Sequence, residues 1–297
     1  MWEVYHFLIT NHHTFDIVSS RNGKFDPTTR VLGNRIERAT LTPDGPGSIA
    51  LTCGDEVCVE STHGPGGDWL AANALALAAR HVTAHLIEPF HDAVRQAQRD
   101  VGILHLPRTN SPWHEVLPAI LGQRITGMQA HAQWSRLCRT FGERAPGPFD
   151  LYLPPSPERL AHVTSWEFHR LGIERQRART LLVAARHHRH IERTVDLSGE
   201  AARDALMQLP GIGVWTAAVT VGVSHGDRDA LPIGDFHVKN TVAWALTGRA
   251  RGTDEEMIAT LEPYRPHRWA VVRMLEKCGF SAPKFAPKRP LLPIERM

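Results

Sequence analysis

Cysteine is scarce in this chain. Cys53, Cys58, Cys138 and Cys278 are the four cysteines among 297 residues, and no two form a Cys-x-x-Cys pair. So few in so long a chain argue against a disulfide framework. No spacing matches a zinc site or an iron–sulfur cluster. Cys53 and Cys58 are expected as a pair of buried free thiols. Long apolar runs are also lacking, since none approaches the ~20 residues a membrane helix needs. The opening Met1-Trp2-Glu3-Val4-Tyr5-His6 lacks the basic region of a signal peptide. With reduced-looking cysteines, a cytoplasmic protein with no membrane partner is expected. There is no internal repeat or low-complexity tract. Net charge is only +3, with 18 histidines, which permits a polyanionic partner without demanding one, so a local basic face says more. A hydrophobic share of 42% and a charged share of 22% are ordinary for a globular protein, which excludes a wholly disordered chain.

The length suggests about two domains at roughly 150 residues each. Residues 1 to 67 are rich in strand and turn signals. Ser48–Thr52 and Glu56–Glu60 are strand candidates around the turn Gly54-Asp55, punctuated by Asp44-Gly45-Pro46-Gly47 and Gly64-Pro65-Gly66-Gly67. Helices are expected over Asp68–Arg80 and Glu88–Val101, and Leu106-Pro107-Arg108 marks a boundary. Beyond it the chain reads as almost wholly helical. Ser111-Pro112 is a helix start, with Ser as cap and Pro in the first turn, and Pro118 is a candidate kink. Further helices are expected over Gly127–Phe141, Glu158–Val163, Trp166–Leu171, Arg175–Arg193 and Glu200–Gln208. Thr253 and Glu256 form a capping box for Asp254–Leu261, and Gly279 ends a helix over His267–Cys278. Ser281–Met297 reads as an extended tail.

The most informative stretch is Leu206-Met207-Gln208-Leu209-Pro210-Gly211-Ile212-Gly213-Val214-Trp215-Thr216-Ala217-Ala218. A helix ends, a tight glycine hairpin follows, and a second helix begins. Its free N–H groups and positive dipole end suit a phosphate; a plain helix–turn–helix corner would carry the same glycines. Downstream lies Leu231-Pro232-Ile233-Gly234-Asp235-Phe236-His237-Val238-Lys239. An aspartate at such a helix start is by itself an N-cap, but the two segments together are far more specific.

On these stretches, with Ala119-Ile120-Leu121-Gly122-Gln123 and the closing helix around His267–Leu275, the chain resembles the helix–hairpin–helix DNA glycosylase superfamily, most closely the 3-methyladenine DNA glycosylase II family. The resemblance covers Ser111–Gly279 well and the N-terminal third in outline. It implies an α+β architecture: a small N-terminal antiparallel β-sheet domain with helices over residues 1–107, then an all-α helix–hairpin–helix domain over 108–297 with the extended tail. It also implies a DNA-repair hydrolase of base excision that acts on double-stranded DNA as a monomer and flips out an alkylated base. Gly211, Ile212 and Gly213 would hold a phosphate. The carbonyls of Met207, Leu209 and Ile212 would hold a monovalent cation such as Na or K. Asp235 would stabilise the cationic sugar and orient water, and Trp215 would pack against the base. Gln123 and Arg124 would form the wedge that fills the gap in the duplex. Trp215 stands where bifunctional relatives carry a lysine, so no lyase activity is expected. No iron–sulfur cluster and no zinc are expected. A tryptophan of some relatives falls on Leu275 by an ungapped count.

From Glu158 to Arg193 eight Arg face four Glu, joined by His162, His169, His187, His188 and His190. This stretch is either a phosphate-tracking face or a solvated helix surface. The three histidines 187, 188 and 190 cannot share one helix face, which speaks against a metal. Asp227 and Asp229 read as capping or solvated residues of a turn, and His237 as a support for its helix. Tyr152 and Trp166 are expected in core packing rather than in the pocket. Three functions stay open: a glycosylase for alkylated purines, a glycosylase for another damaged base, and a non-catalytic damaged-DNA-binding protein.

Overall fold

A computed structural model describes residues 26–283 except 55, 79–81, 84–86, 105 and 107. The N-terminal start, Pro107 and the tail from Lys284 onward lie outside the described residues. Four antiparallel strands open the described chain in the order β1 (Thr29–Leu32), β2 (Arg35–Thr42), β3 (Gly45–Cys53), β4 (Val57–His63). The strands expected at 48–52 and 56–60 are β3 and β4; β2 was not legible. Its run Arg35-Ile36-Glu37-Arg38-Ala39-Thr40 is charged, yet residues 36–40 are all buried, because the sheet is covered on both faces. Ile36, opposite Leu51, packs with Leu70, Ala74 and Leu77 of the short helices α1 (Gly67–Ala72) and α2 (Ala74–Leu77). Ala39, on the other face, packs with Ala145, Leu151 and Leu153. All four cysteines are free, but Cys58 is exposed, correcting the expected buried pair. Of β4, residues Cys58–Glu60 face solvent at the sheet edge.

The two-residue strands β5 (Val82–Thr83) and β6 (Ile103–Leu104) pair around α3 (Asp92–Val101). Then come α4 (Pro112–Leu121), α5 (Gly127–Phe141), α6 (Pro157–Ala161), α7 (Ser165–Arg170), α8 (Arg175–Arg186), α9 (His188–Arg193), α10 (Gly199–Met207), α11 (Val214–Ser224), α12 (Val238–Thr247), α13 (Asp254–Leu261) and α14 (Arg268–Lys277). The α+β fold class is as expected. The expected helix over 175–193 is two helices that break at His187, a turn that lets Ile191 of α9 join the core. Trp166 is 67% exposed and stacks on His169 at 5.6 Å, which corrects its expected core role. In the six-residue α7 only Phe168 is buried. Tyr152 is partly buried against the core, under Arg139 and Arg144.

Two helical cores lie side by side. One gathers α4, α5, α8 and α11. The other gathers α12, α13 and α14 with Val94 and Ala97 of α3 and Ile87, Leu104 and Leu106. Packing therefore crosses the 107/108 boundary, since Ile87, Val94, Ala97, Leu104 and Leu106 share a core with the last helices.

Buried polar side chains fasten the sheet to the helices. Arg38 donates to Glu115 Oε1 at 2.9 Å, with both side chains buried. His114 Nδ1 lies 2.8 Å from Thr40 Oγ1, and Trp134 Nε1 donates to Asp26 Oδ1 at 3.0 Å. Burial, with the Arg38 charge, holds the His114 pKa well below its ordinary value. The start of α4 departs from the expected cap. Ser111 Oγ donates to the Thr109 carbonyl, and the Trp113 N–H is taken by Glu192 Oε1 at 2.8 Å.

Burial pushes the Glu192 carboxyl up from 4.5 to about 7. A raised folded pKa means that this group's contribution to stability is complete below pH 4.5 and is lost as pH rises through about 7. The loss is about 3 kcal/mol. Glu192→Gln keeps an oxygen acceptor for Trp113 and should remove that fall. Urea unfolding at a series of pH values checks it, and identical pH dependence in both proteins would contradict it.

Candidate active site

The hairpin forms where expected. Helix α10 ends at Met207, the Leu209 N–H returns to the Leu206 carbonyl at 3.1 Å, and the Ile212 N–H donates to the Leu209 carbonyl at 3.0 Å. Gly211 sits at φ +90, and a Cβ there would lie 2.2 Å from Thr180 Oγ1 of α8. Glycine is thus required twice over, for its backbone angle and for the close approach of α8. Leu209 and Ile212 are buried and anchor the hairpin in the core, while Gly211 and Gly213 face solvent. Helix α11 starts at Val214, its first turn closed by Ala217 N–H to the Gly213 carbonyl at 2.9 Å. Residues 220–224 of α11 are all buried, so the helix is central, and only its N-terminal end emerges. There the first-turn N–H groups lack intrahelical acceptors by geometry.

Trp215 and Asp235, twenty residues apart, are brought together. The indole Nε1 donates to Asp235 Oδ2 at 2.9 Å, and both residues are half-buried. The other carboxylate oxygen, Oδ1, accepts the N–H groups of His237 at 2.7 Å and Val238 at 3.1 Å. Asp235 thus closes the turn into α12 with a capping oxygen, from two residues before the N-cap position at His237, and its second oxygen is left for Trp215. The Trp215 ring lies over Gly122, where a Cβ would be 3.0 Å from Cη2. His237 is exposed, its ring edge-on to Phe236.

The two residues expected at the wedge take different places. Gln123 Nε2 donates to the Gly211 carbonyl and to Thr216 Oγ1, each at 2.9 Å. Its carboxamide ties the loop between α4 and α5 to the hairpin and is not free to enter a duplex. Arg124 is exposed at φ +58 and forms the tip of that loop. Of the carbonyls expected to hold a cation, that of Leu209 already accepts the Ile212 N–H. A carbonyl oxygen has two lone pairs, so that hydrogen bond leaves the Leu209 oxygen one lone pair to offer.

Other expectations change. Leu275 is fully buried in the second core, so this position offers no pocket side chain. Asp229 is not solvated. It is 9% exposed and takes Arg268 in a two-pronged pair, Nε at 2.8 Å and Nη2 at 2.6 Å. Asp227 caps the Asp229 N–H at 2.8 Å and pairs with Arg203. In the arginine-rich stretch, Arg177 is buried and donates to the Leu121 carbonyl at 2.9 Å and to Gln133 Oε1 at 2.6 Å. The other seven arginines are exposed. His188 and His190 contact the carbonyls of Ala185 and Ala205. Sequence reasoning missed Thr180, which shapes the hairpin through packing and carries no local motif, and it gave no role to Gly122 or Thr216 within the stretches it singled out.

The hairpin yields a contrast between its glycines. Gly211→Ala meets both the left-handed backbone and Thr180, and should cost about 1–3 kcal/mol of stability. Gly213→Ala lies in extended backbone, with nothing within 4 Å of its new methyl, and should be neutral or slightly stabilising. Thermal unfolding of both decides, and equal losses would contradict the assignment.

Comparison with known proteins fits this geometry. Over 138 residues the chain is 28% identical to the "Probable bifunctional transcriptional activator/DNA repair enzyme AlkA" of Mycobacterium tuberculosis, covering 45% of this chain and 27% of that protein. Over 116 residues it is 31% identical to DNA-3-methyladenine glycosylase 2 of Escherichia coli, covering 38% of this chain and 41% of that one. Each match thus spans less than half of the relative's length. The structure of a 3-methyladenine DNA-glycosylase from Archaeoglobus fulgidus superposes with a TM-score of 0.72 at 18% identity, over 91% of this chain and 98% of that chain, a likeness of fold. The profile of the HhH-GPD superfamily base excision DNA repair proteins matches residues 117–266, half of the chain. On the hairpin, the site that it places beside Asp235 and this match, the chain belongs to the HhH-GPD superfamily of base excision DNA repair proteins.

Proposed function

We propose that this protein is a monofunctional DNA glycosylase that removes alkylated purines of the 3-methyladenine type from duplex DNA, acting as a monomer. The observation that carries the reading is the hydrogen bond from the Trp215 indole to the Asp235 carboxylate beside the hairpin. The similarity to DNA-3-methyladenine glycosylase 2 supports the choice of lesion.

The chemistry follows from charge. An N-alkylated purine is cationic or electron-poor, and so already a good leaving group. As the N-glycosidic bond breaks, its electron pair leaves with the base and the sugar becomes an oxocarbenium-like cation. A carboxylate fixed beside it stabilises that cation, and water then adds at the sugar carbon, giving an abasic site. The indole face of Trp215 attracts a cationic base by ~0.5–2 kcal/mol. The indole N–H meanwhile restrains the carboxylate before substrate arrives. No lysine stands at position 215, so no Schiff base forms from that position. Gly211 to Gly213 hold a phosphate, and Arg124 is the exposed side chain suited to fill the gap left by the base. The carbonyls of Met207, Leu209 and Ile212 would hold a Na or K ion, which would add positive charge beside that phosphate. Exposed arginines of α8 extend the same basic surface. Arg179 adjoins Thr180, which packs against the hairpin, and Arg175 lies one turn away.

Asp235→Asn is a clean test, because asparagine retains an oxygen to cap α12 while the charge is removed. The variant should fold as the native protein does, bind abasic duplex with similar affinity, and release 3-methyladenine from methylated DNA about 10²–10³-fold more slowly. Strand breaks should appear only after heat or alkali. Normal release by the variant would refute the role of Asp235. DNA binding without release by the native protein would favour another lesion or a non-catalytic binder, which a panel of damaged duplexes separates.

A further inference from the structure

Asp254 reaches into the segment that carries Asp235, and nothing above gives it a role. It is the first residue of α13. That helix does not depend on it, for Thr253 and Glu256 form the capping box, and Glu255 and Glu256 remain as first-turn charges. Both Asp254 oxygens point elsewhere. Oδ1 accepts the Gly234 N–H at 3.0 Å, and Oδ2 accepts Lys239 Nζ at 2.9 Å. Gly234 immediately precedes Asp235, at φ +89. Lys239 lies four residues after Asp235, at the second position of α12. The side chains of Lys239 and Asp254 are 24% and 22% exposed, so the pair is partly shielded from water.

A second bracket holds the other flank. Asn240 Nδ2 donates to the Phe236 carbonyl at 2.7 Å, and Asn240 Oδ1 accepts the Gly252 N–H at 3.1 Å. The neighbours of Asp235 on both sides, Gly234 and Phe236, are thus linked to residues 252–254, Gly234 directly and Phe236 through Asn240. The backbone contacts of Asp235 itself are short-range, its N–H to the Pro232 carbonyl at 3.1 Å and its Oδ1 to the N–H groups of His237 and Val238. Oδ1 is set by the His237 and Val238 N–H groups and Oδ2 by Trp215, while the backbone that carries this side chain is set by how Gly234 and Phe236 are held.

We infer that Asp254 is a positioning residue for Asp235, acting through the Gly234 N–H to keep the carboxylate against the Trp215 indole. The inference rests on the function proposed above for Asp235. A small displacement of a reacting group can cost on the order of 10²-fold in rate, so one external hydrogen bond to this loop is enough to matter.

The test uses the full chain with two readouts, one of them independent of activity. The first is the Trp215 indole N–H resonance, assigned with Trp215→Phe, which reports the bond to Asp235. The second is single-turnover release of 3-methyladenine alongside affinity for abasic duplex. Asp254→Ala should shift the indole resonance and slow release about 10–100-fold, with duplex affinity unchanged. Asp254→Asn retains an acceptor for Gly234 and should restore both readouts to near native. Lys239→Met leaves the Gly234 contact intact and should also stay near native. Thermal unfolding verifies that the variants are folded. A native indole resonance and native rate in Asp254→Ala would overturn the inference, as would an Asp254→Asn protein as impaired as the alanine variant. If the native protein releases no base but Asp254→Ala still shifts the indole resonance, the positioning role stands and the proposed reaction fails.

Discussion

The hydrogen bond between Trp215 and Asp235 joins two separately packed halves of the helical region. Trp215 rises from α11, whose Ala217 and Val221 belong to the first core, while Asp235 caps α12, whose Val238 and Val242 belong to the second. Neither residue could hold this geometry alone. Trp215 needs the bare backbone of Gly122 beneath its ring, and Asp235 needs the N–H groups of His237 and Val238 to fix one oxygen so that the other can face the indole. The result is a negative charge oriented before a substrate enters. That is the arrangement a reaction with a developing cation requires, because a preset dipole or charge needs no reorganisation at the moment of reaction.

The hairpin depends on the same seam. Gln123 extends from the end of α4 and holds both the Gly211 carbonyl and Thr216, and buried Arg177 holds the last turn of α4 through the Leu121 carbonyl. The loop bearing Arg124, the glycine hairpin and the base of Trp215 are therefore one mechanical unit. On the far side, Asp229 and Arg268 pin the connection from α11 to the last helix. Buried guanidinium groups are unfavourable unless well paired. In each of these cases the pairing fixes the position of a loop, and packing of apolar residues supplies the stability. The sheet is attached in the same way, through Arg38 with Glu115 and through Asp26 with Trp134.

Much was legible in the chain itself. Local signals with a local cause were read correctly: the glycine hairpin, Pro112 in the first turn of α4, the Thr253 and Glu256 capping box, and the span of α5. Strand β2 was not legible, because its arginine and glutamate look solvated until their buried partners are known. Arg177 looked like one more member of a basic surface for the same reason. Trp166 failed in the opposite sense, an apolar side chain that its short helix leaves in solvent.

Local sequence is enough to set the hairpin, an aspartate ahead of the following helix, and a tryptophan at the second position of the helix between them. Those features arise from backbone angles, caps and residue chemistry within a few positions. Only the tertiary structure decided that Trp215 and Asp235 touch, that Gln123 holds the hairpin rather than projecting like Arg124, and that Asp254 reaches Gly234 from twenty residues away. These are contacts between elements, set by how two cores pack against each other, and neither residue spacing nor propensity encodes which side chains meet across a seam.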